Sequence, residues 1–316
     1  MKNIKKLPFI LSILSLFTIF SPAYADIKVV ASIKPIHSLA SYLMDGVGKP
    51  DLIVDGYASP HGFAMKPSHA KMLQNADLIF WVGEDLENFL EKPLKSIAKK
   101  AEKIELMETK GLKKLEFRER NIFEEHGHDE HKEHGHKEDK HDDHHGHAHG
   151  EHDPHIWLDP INAKSILSEM AVHLIEKDPN NASAYKANLK KAHKALDNLT
   201  KKVKSELKGD FKSIVFHDAY QYFEKRFNVN VLGAFTVNTD VLPGAEQLAE
   251  IREIIEHEKV TCVFSEPQFN PDIIKAVAKD TNIKTGVIDP LGATLDPGKD
   301  LYFDLIRNMY ASFKGC

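Results

Sequence analysis

Short apolar runs alternate with amphipathic stretches along most of the chain. Residues 26–33 (DIKVVASI) are apolar and β-branched, the composition of a buried strand. Pro35 then opens a helix whose apolar residues Ile36, Leu39, Ala40 and Leu43 repeat at helical spacing, and Gly46 and Gly48 end it. The rhythm continues with a strand at 51–54, a loop at 56–67, a short helix at 68–75 and a strand at 77–82 (DLIFWV). A helix at 86–98 and a strand at 103–107 close the series. Alternation of this kind predicts parallel βαβ units with helices covering the sheet.

The pattern fails from His126 to His155, where apolar residues almost vanish, and resumes with a helix at 160–177 that Asp178-Pro179-Asn180 breaks. The next helix is unusually regular. Tyr185, Leu189, Ala192, Leu196, Leu199, Val203 and Leu207 form one apolar stripe, with lysines on the other faces. At 1.5 Å per residue it reaches about 34 Å, the diameter of a small domain, and reads as a strut between two lobes. An ordinary packed helix is the alternative. After Gly209 a second series follows, with strands at 213–216, 230–235, 261–265 and 283–288 and helices at 219–226, 244–257, 271–279 and 301–313. The predicted fold class is α/β: two lobes, each a four-stranded parallel sheet flanked by helices, joined by one long rigid helix. Division of the chain follows: 1–25, 26–118, 119–152, 153–180 returning to the first lobe, 181–208 as the linking helix, and 209–316.

Composition changes this picture at the ends. Lys2, Lys5 and Lys6 precede an apolar stretch at 9–20, and Ala23-Tyr24-Ala25 offers a cleavage site, so 1–25 reads as a secretory signal with cleavage near Ala25/Asp26. The apolar run is too short for a confident membrane span. Losing three lysines and no acids takes the formal charge from −5 to −8, which argues against nucleic acid as a partner. Cys262 and Cys316 are the two cysteines, and an even pair in an exported chain favours a disulfide, with two free thiols as the alternative.

The chemistry points to metal. Of 19 histidines, twelve lie within 126–155, interleaved with Asp, Glu and Lys. Neutral imidazole binds zinc, copper and nickel, and carboxylates add charge, so 119–152 reads as a solvated His/Asp/Glu-rich metal-binding loop. Four further candidates sit at strand ends or adjoining loops, where open parallel sheets bind ligands. They are His61 after the second strand, His155 opening HIWLDP, His217 closing SIVFH and Asp289 closing TGVID. Three imidazoles and one carboxylate would fill a tetrahedral zinc shell, with His61 and His155 from one lobe and His217 and Asp289 from the other. Taken singly, a loop histidine is usually just solvated and a strand-end aspartate usually caps the next helix. A metallohydrolase is the enzymatic alternative. HGHDEH and HAHGEH superficially resemble metal-hydrolase strings, but such strings arise by chance in so dense a run, and no H-E-x-x-H or G-x-S-x-G occurs. A metal buffer or chaperone acting through the His-rich loop is the third class.

Longer motifs go further. SPHGFAMKPSHAKMLQNADLIFWVG, DPHIWLDPINA, FHDAYQYFEKRF, CVFSEPQFNP and IDPLGA resemble the zinc-specific solute-binding proteins of ABC transporters, the ZnuA type, over essentially the whole mature chain. The resemblance implies two (βα)4 lobes on a single long helix, a metal between them held by His61, His155 and His217, and a disulfide between Cys262 and Cys316. It implies delivery of Zn2+ to a membrane permease powered by a cytoplasmic ATPase. The chain as a whole is expected to be a periplasmic, monomeric receptor and not an enzyme. Some relatives carry an acidic residue just before the first ligand histidine; Pro60 stands there in this chain, which shifts the fourth position to Asp289 or a water. Manganese-carrying relatives tend to have a carboxylate at the third ligand position, where this chain has His217, and imidazole suits zinc better.

Overall fold

The computed structural model describes residues 27–118, 120–123, 151–209, 211–239, 241, 243–281 and 283–316. The expected signal segment and most of the His-rich run lie outside the described residues. In the first lobe, β1 (Val29–Ile33), β2 (Asp51–Val54), β3 (Leu78–Trp81) and β4 (Glu102–Glu105) form a parallel sheet of order β2-β1-β3-β4. The crossovers run through α1 (Lys34–Leu43), α2 (Pro67–Asn75) and α3 (Asn88–Ser96). Every side chain of β1 and β3 is buried, as expected of central strands covered on both faces; β3 is wholly apolar and β1 is apolar but for Ser32.

The second lobe repeats the order as β6-β5-β7-β8, from β5 (Lys212–His217), β6 (Asn230–Thr236), β7 (Cys262–Ser265) and β8 (Lys284–Val287). Its helices are α6 (Gln221–Phe227), α7 (Ala245–His257), α8 (Asp272–Thr281) and α9 (Leu301–Gly315). α4 (Pro160–Lys177) packs back on α1 and β3 of the first lobe, and the long helix α5 (Ala182–Glu206) joins the two lobes. The stripe read from α5 is buried at Tyr185, Ala192, Leu196, Leu199 and Val203, which pack the helix against α1, α4 and α9. Asn188 is buried on the same face and donates to the carbonyls of Leu43 and Asp45, closing the end of α1 (2.9 Å each).

One apolar cluster runs from Val29 through α4, α5 and α9 to Phe313, so the lobes share a core rather than meeting at a polar seam. A smaller cluster lies under α7 and α8. Cys262, at the start of β7, is disulfide-bonded to Cys316 at the end of α9. The sequence pattern did not anticipate one pairing. Ala234 N donates to Asn121 O (2.8 Å) and Phe123 N to Leu232 O (2.9 Å), so the chain entering the His-rich run lies along the outer edge of β6. Gly233 makes this possible, since a Cβ there would stand 2.6 Å from Asn121 O.

In each lobe the chain passes to one side of the first strand and then to the other. The strand-order switch therefore falls between β1 and β3, and between β5 and β7, at their carboxyl ends. These two crevices face each other, which places the site.

Candidate metal centre

His61, His155 and His217 converge there. Their ligand nitrogens all lie within 4.8 Å of one another, with His155 Nε2 and His217 Nε2 at 3.4 Å. Ring centroids are 5.5 Å apart for His61–His155, 5.7 Å for His61–His217 and 5.3 Å for His155–His217. His155 and His217 are buried and His61 half-buried. His61 sits in the loop after β2, where its N–H donates to Ser59 Oγ (3.3 Å). His217 is the last residue of β5, the switch strand of the second lobe.

His155 belongs to a short segment fixed at both ends. Upstream, Asp153 N donates to Leu115 O (2.8 Å) and the Tyr222 hydroxyl donates to Asp153 O (2.8 Å). Downstream, Asp159 caps α4 by accepting from Ile161 N (2.8 Å), while the Arg226 guanidinium forks onto its carboxylate (2.6 Å twice). The histidine is thus seated by lobe-to-lobe contacts, since Tyr222 and Arg226 lie on α6.

Two carboxylates orient the rings. Asp153 Oδ1 lies 2.7 Å from His155 Nδ1, and Glu266 Oε1 lies 2.7 Å from His217 Nδ1. Each carboxylate accepts the Nδ1–H hydrogen bond of its histidine, which places the lone pair of that ring on Nε2, facing the partner imidazole. Burial, aided by His217, holds the His155 imidazole well below its ordinary range. Burial acts on His217 in the same direction, but the charge and hydrogen bond of Glu266 outweigh it and raise that imidazole. Leu86, Trp157, Phe269, Pro290 and Leu291 line the pocket and make a largely apolar wall. Imidazole donors with carboxylates behind them, in a water-poor pocket, suit a soft-to-borderline divalent ion.

Asp289 is not brought into this group. Its Oδ1 accepts from Gln268 Nε2 (2.9 Å) and from the backbone N–H groups of Leu291 and Gly292 (3.0 Å each), and its Oδ2 accepts from Ala293 N (2.6 Å). In this conformation the carboxylate forms the turn that carries Pro290 and Leu291 to the pocket. Asp153 and Glu266 were not singled out from the sequence. Glu266 had a readable signal, a carboxylate directly after a strand at the sheet's switch point. Asp153 had none, because it borders a run full of acids.

A second group, Glu102, His173 and Glu176, also has donor atoms within 4.8 Å. Two of its three members are already engaged, with His173 Nδ1 at 2.6 Å from Glu102 Oε1 and Lys177 Nζ at 3.1 Å from Glu102 Oε2. The arrangement is an ion-pair network tying α4 to β4.

Comparisons with known proteins identify the family. A Brucella abortus high-affinity zinc uptake system protein, ZnuA, is 46% identical over 331 aligned residues, covering 100% of this chain and 99% of the relative. The Yersinia pestis protein of the same name is 38% identical, covering 92% of each. Among solved structures, a crystal structure of ZnuA superposes with a TM-score of 0.72 at 22% identity, over 91% of this chain and 99% of the other, which shows the shared fold. The family described as zinc-uptake complex component A, periplasmic, matches residues 29–316, and this chain belongs to that ZnuA family.

Proposed function

We propose that this protein is the high-affinity zinc receptor of an ABC-type importer, capturing Zn2+ in the periplasm and passing it to a membrane permease driven by a cytoplasmic ATPase. The observation that carries the reading is the convergence of three imidazoles, with ligand nitrogens from both lobes within 4.8 Å of one another and carboxylates behind two of them. The relatives' names and the family description support zinc and the periplasm. The protein acts as a monomer, exported by residues 1–25, and binds its cargo without turnover. His61, His155 and His217 are the ligands. Asp289 is the fourth candidate from the sequence, and in the conformation described its oxygens serve the 290–293 turn, which leaves a water as the fourth donor. The His-rich run is an accessory that raises the local concentration of zinc near the cleft.

A calorimetric zinc titration with metal analysis tests this, comparing the mature chain with a version lacking 124–150 and with His217→Ala. One tight site that survives the deletion and disappears in His217→Ala supports the receptor. Tight binding that leaves with the deleted segment would instead identify a buffer acting through the His-rich run.

A further inference from the structure

We propose that Lys34 is a positioning residue that sets how long zinc stays bound, by fastening the 289–295 loop of the second lobe to the first. This rests on the zinc-receptor reading and adds a lock to it. Lys34 is the first residue of α1, directly after the switch strand β1, and only 4% exposed. Its ammonium donates to the carbonyls of Gly292 (3.2 Å), Ala293 (3.0 Å) and Leu295 (2.9 Å), so all three N–H donors point at backbone of the other lobe. Its acidic neighbour is Asp55, at 3.3 Å, immediately after β2 on the strand that leads to His61.

The same loop is held from its own lobe by the opposite polarity. Asp289 accepts the N–H groups of Leu291, Gly292 and Ala293, while Lys34 takes the carbonyls. A third fastening comes from Trp157, whose indole N–H donates to Pro290 O (2.8 Å) and whose ring lies 5.3 Å from that of His155. Pro290 and Leu291 form part of the wall of the metal pocket. The wall is therefore a turn built by the second lobe and bolted down by the first.

A buried ammonium is costly unless its donors are matched. All three carbonyl partners belong to a loop more than 250 residues away in sequence, so separating the lobes strips Lys34 of them together. Pro290 and Leu291 of that loop close one side of the pocket, so freeing the loop loosens the wall beside the ion. Lys34 contributes no donor atom to the metal, so its loss alters the release rate and not the ligand set.

The test is zinc release from the mature chain loaded with one equivalent of Zn2+, followed by stopped flow into excess chelator. Lys34→Met is expected to bind one zinc per chain and release it about tenfold faster, with Lys34→Arg in between. Lys299→Met is the control. Lys299 pairs with Asp45 across the same lobes (2.8 Å), but both side chains are close to half exposed, and the variant should release zinc at the wild-type rate. A Lys34→Met protein that holds one zinc and releases it at the wild-type rate overturns the proposal. Should Lys34→Met fail to fold, Lys34→Gln and Lys34→Arg replace it, and wild-type release from both overturns the proposal equally. His217→Ala in the same series separates the two ideas, because tight zinc binding that survives it defeats the receptor reading itself, whatever Lys34 does.

Discussion

Glu266 Oε1 stands 2.7 Å from Nδ1 of His217 and 3.3 Å from its backbone nitrogen, so one carboxylate fixes both the ring and the end of the strand that carries it. The pair spans the crevice between β5 and β7. Glu266→Gln keeps the shape but weakens the hold on the Nδ1 proton. Zinc affinity is expected to fall by about 10- to 100-fold with one zinc still bound at saturation. Competition with a calibrated chelator measures it, and an affinity within twofold of wild type would remove Glu266 from the site. Asp153→Asn should act on His155 in the same direction.

Asp289 offers a different outcome. Because its oxygens hold the 290–293 turn, Asp289→Asn should loosen that turn in hydrogen exchange and weaken zinc binding less than His61→Ala, His155→Ala or His217→Ala. A loss as large as that of His217→Ala would instead make the carboxylate a direct ligand.

The pH dependence of stability carries a contribution from Glu87. This side chain is buried, its Oε2 accepting from Val82 N (2.7 Å) and Gly83 N (3.0 Å), and burial pushes its carboxyl up to about 7. The folded chain therefore holds the Glu87 proton more tightly than the unfolded chain does. That contribution is fully present below about pH 4.5 and is lost as pH rises towards 7. Glu87→Gln should flatten this part of the profile, so urea unfolding of the two proteins should diverge steadily between pH 5 and about 7.5. Parallel profiles would show that Glu87 is ionised in both states.

The disulfide should matter to stability and little to the metal. It closes a 54-residue separation between β7 and the end of α9. The loop-entropy relation gives about 4 kcal/mol for a loop of that size. Cys262→Ser with Cys316→Ser is expected to lower unfolding free energy by roughly that amount and leave zinc affinity near wild type. A stability loss below about 1 kcal/mol would show that packing of α9 against α1 and α5 already orders the terminus.

The architecture was legible because its signals are local. Apolar runs marked β1 and β3, and the stripe from Tyr185 to Val203 marked α5. Boundaries moved where tertiary bonds intervened. The helix expected from Ala219 begins at Gln221, because Ala219 N turns back onto His217 O (2.9 Å). The strand expected to run to Met107 stops at Glu105, giving way to a 3-10 turn over Leu106–Glu108.

The site was legible only in part. By itself the sequence determined the two βα series, the long helix, the two cysteines and the three histidines, since each is a matter of residue type and period along the chain. Tertiary structure alone decided that the histidines meet, that Asp153 and Glu266 stand behind two of them, that Asp289 turns to its own loop, and that Lys34 reaches across the lobes. The meeting of the histidines, the Glu266–His217 pair and the reach of Lys34 depend on which strand ends are brought face to face. They span 49 to 261 positions of sequence, where local propensity carries no information. The Asp153–His155 contact and those of Asp289 with its own loop are local, two to four residues apart, but the sequence offers several possible partners for each carboxylate and only the folded chain selects one.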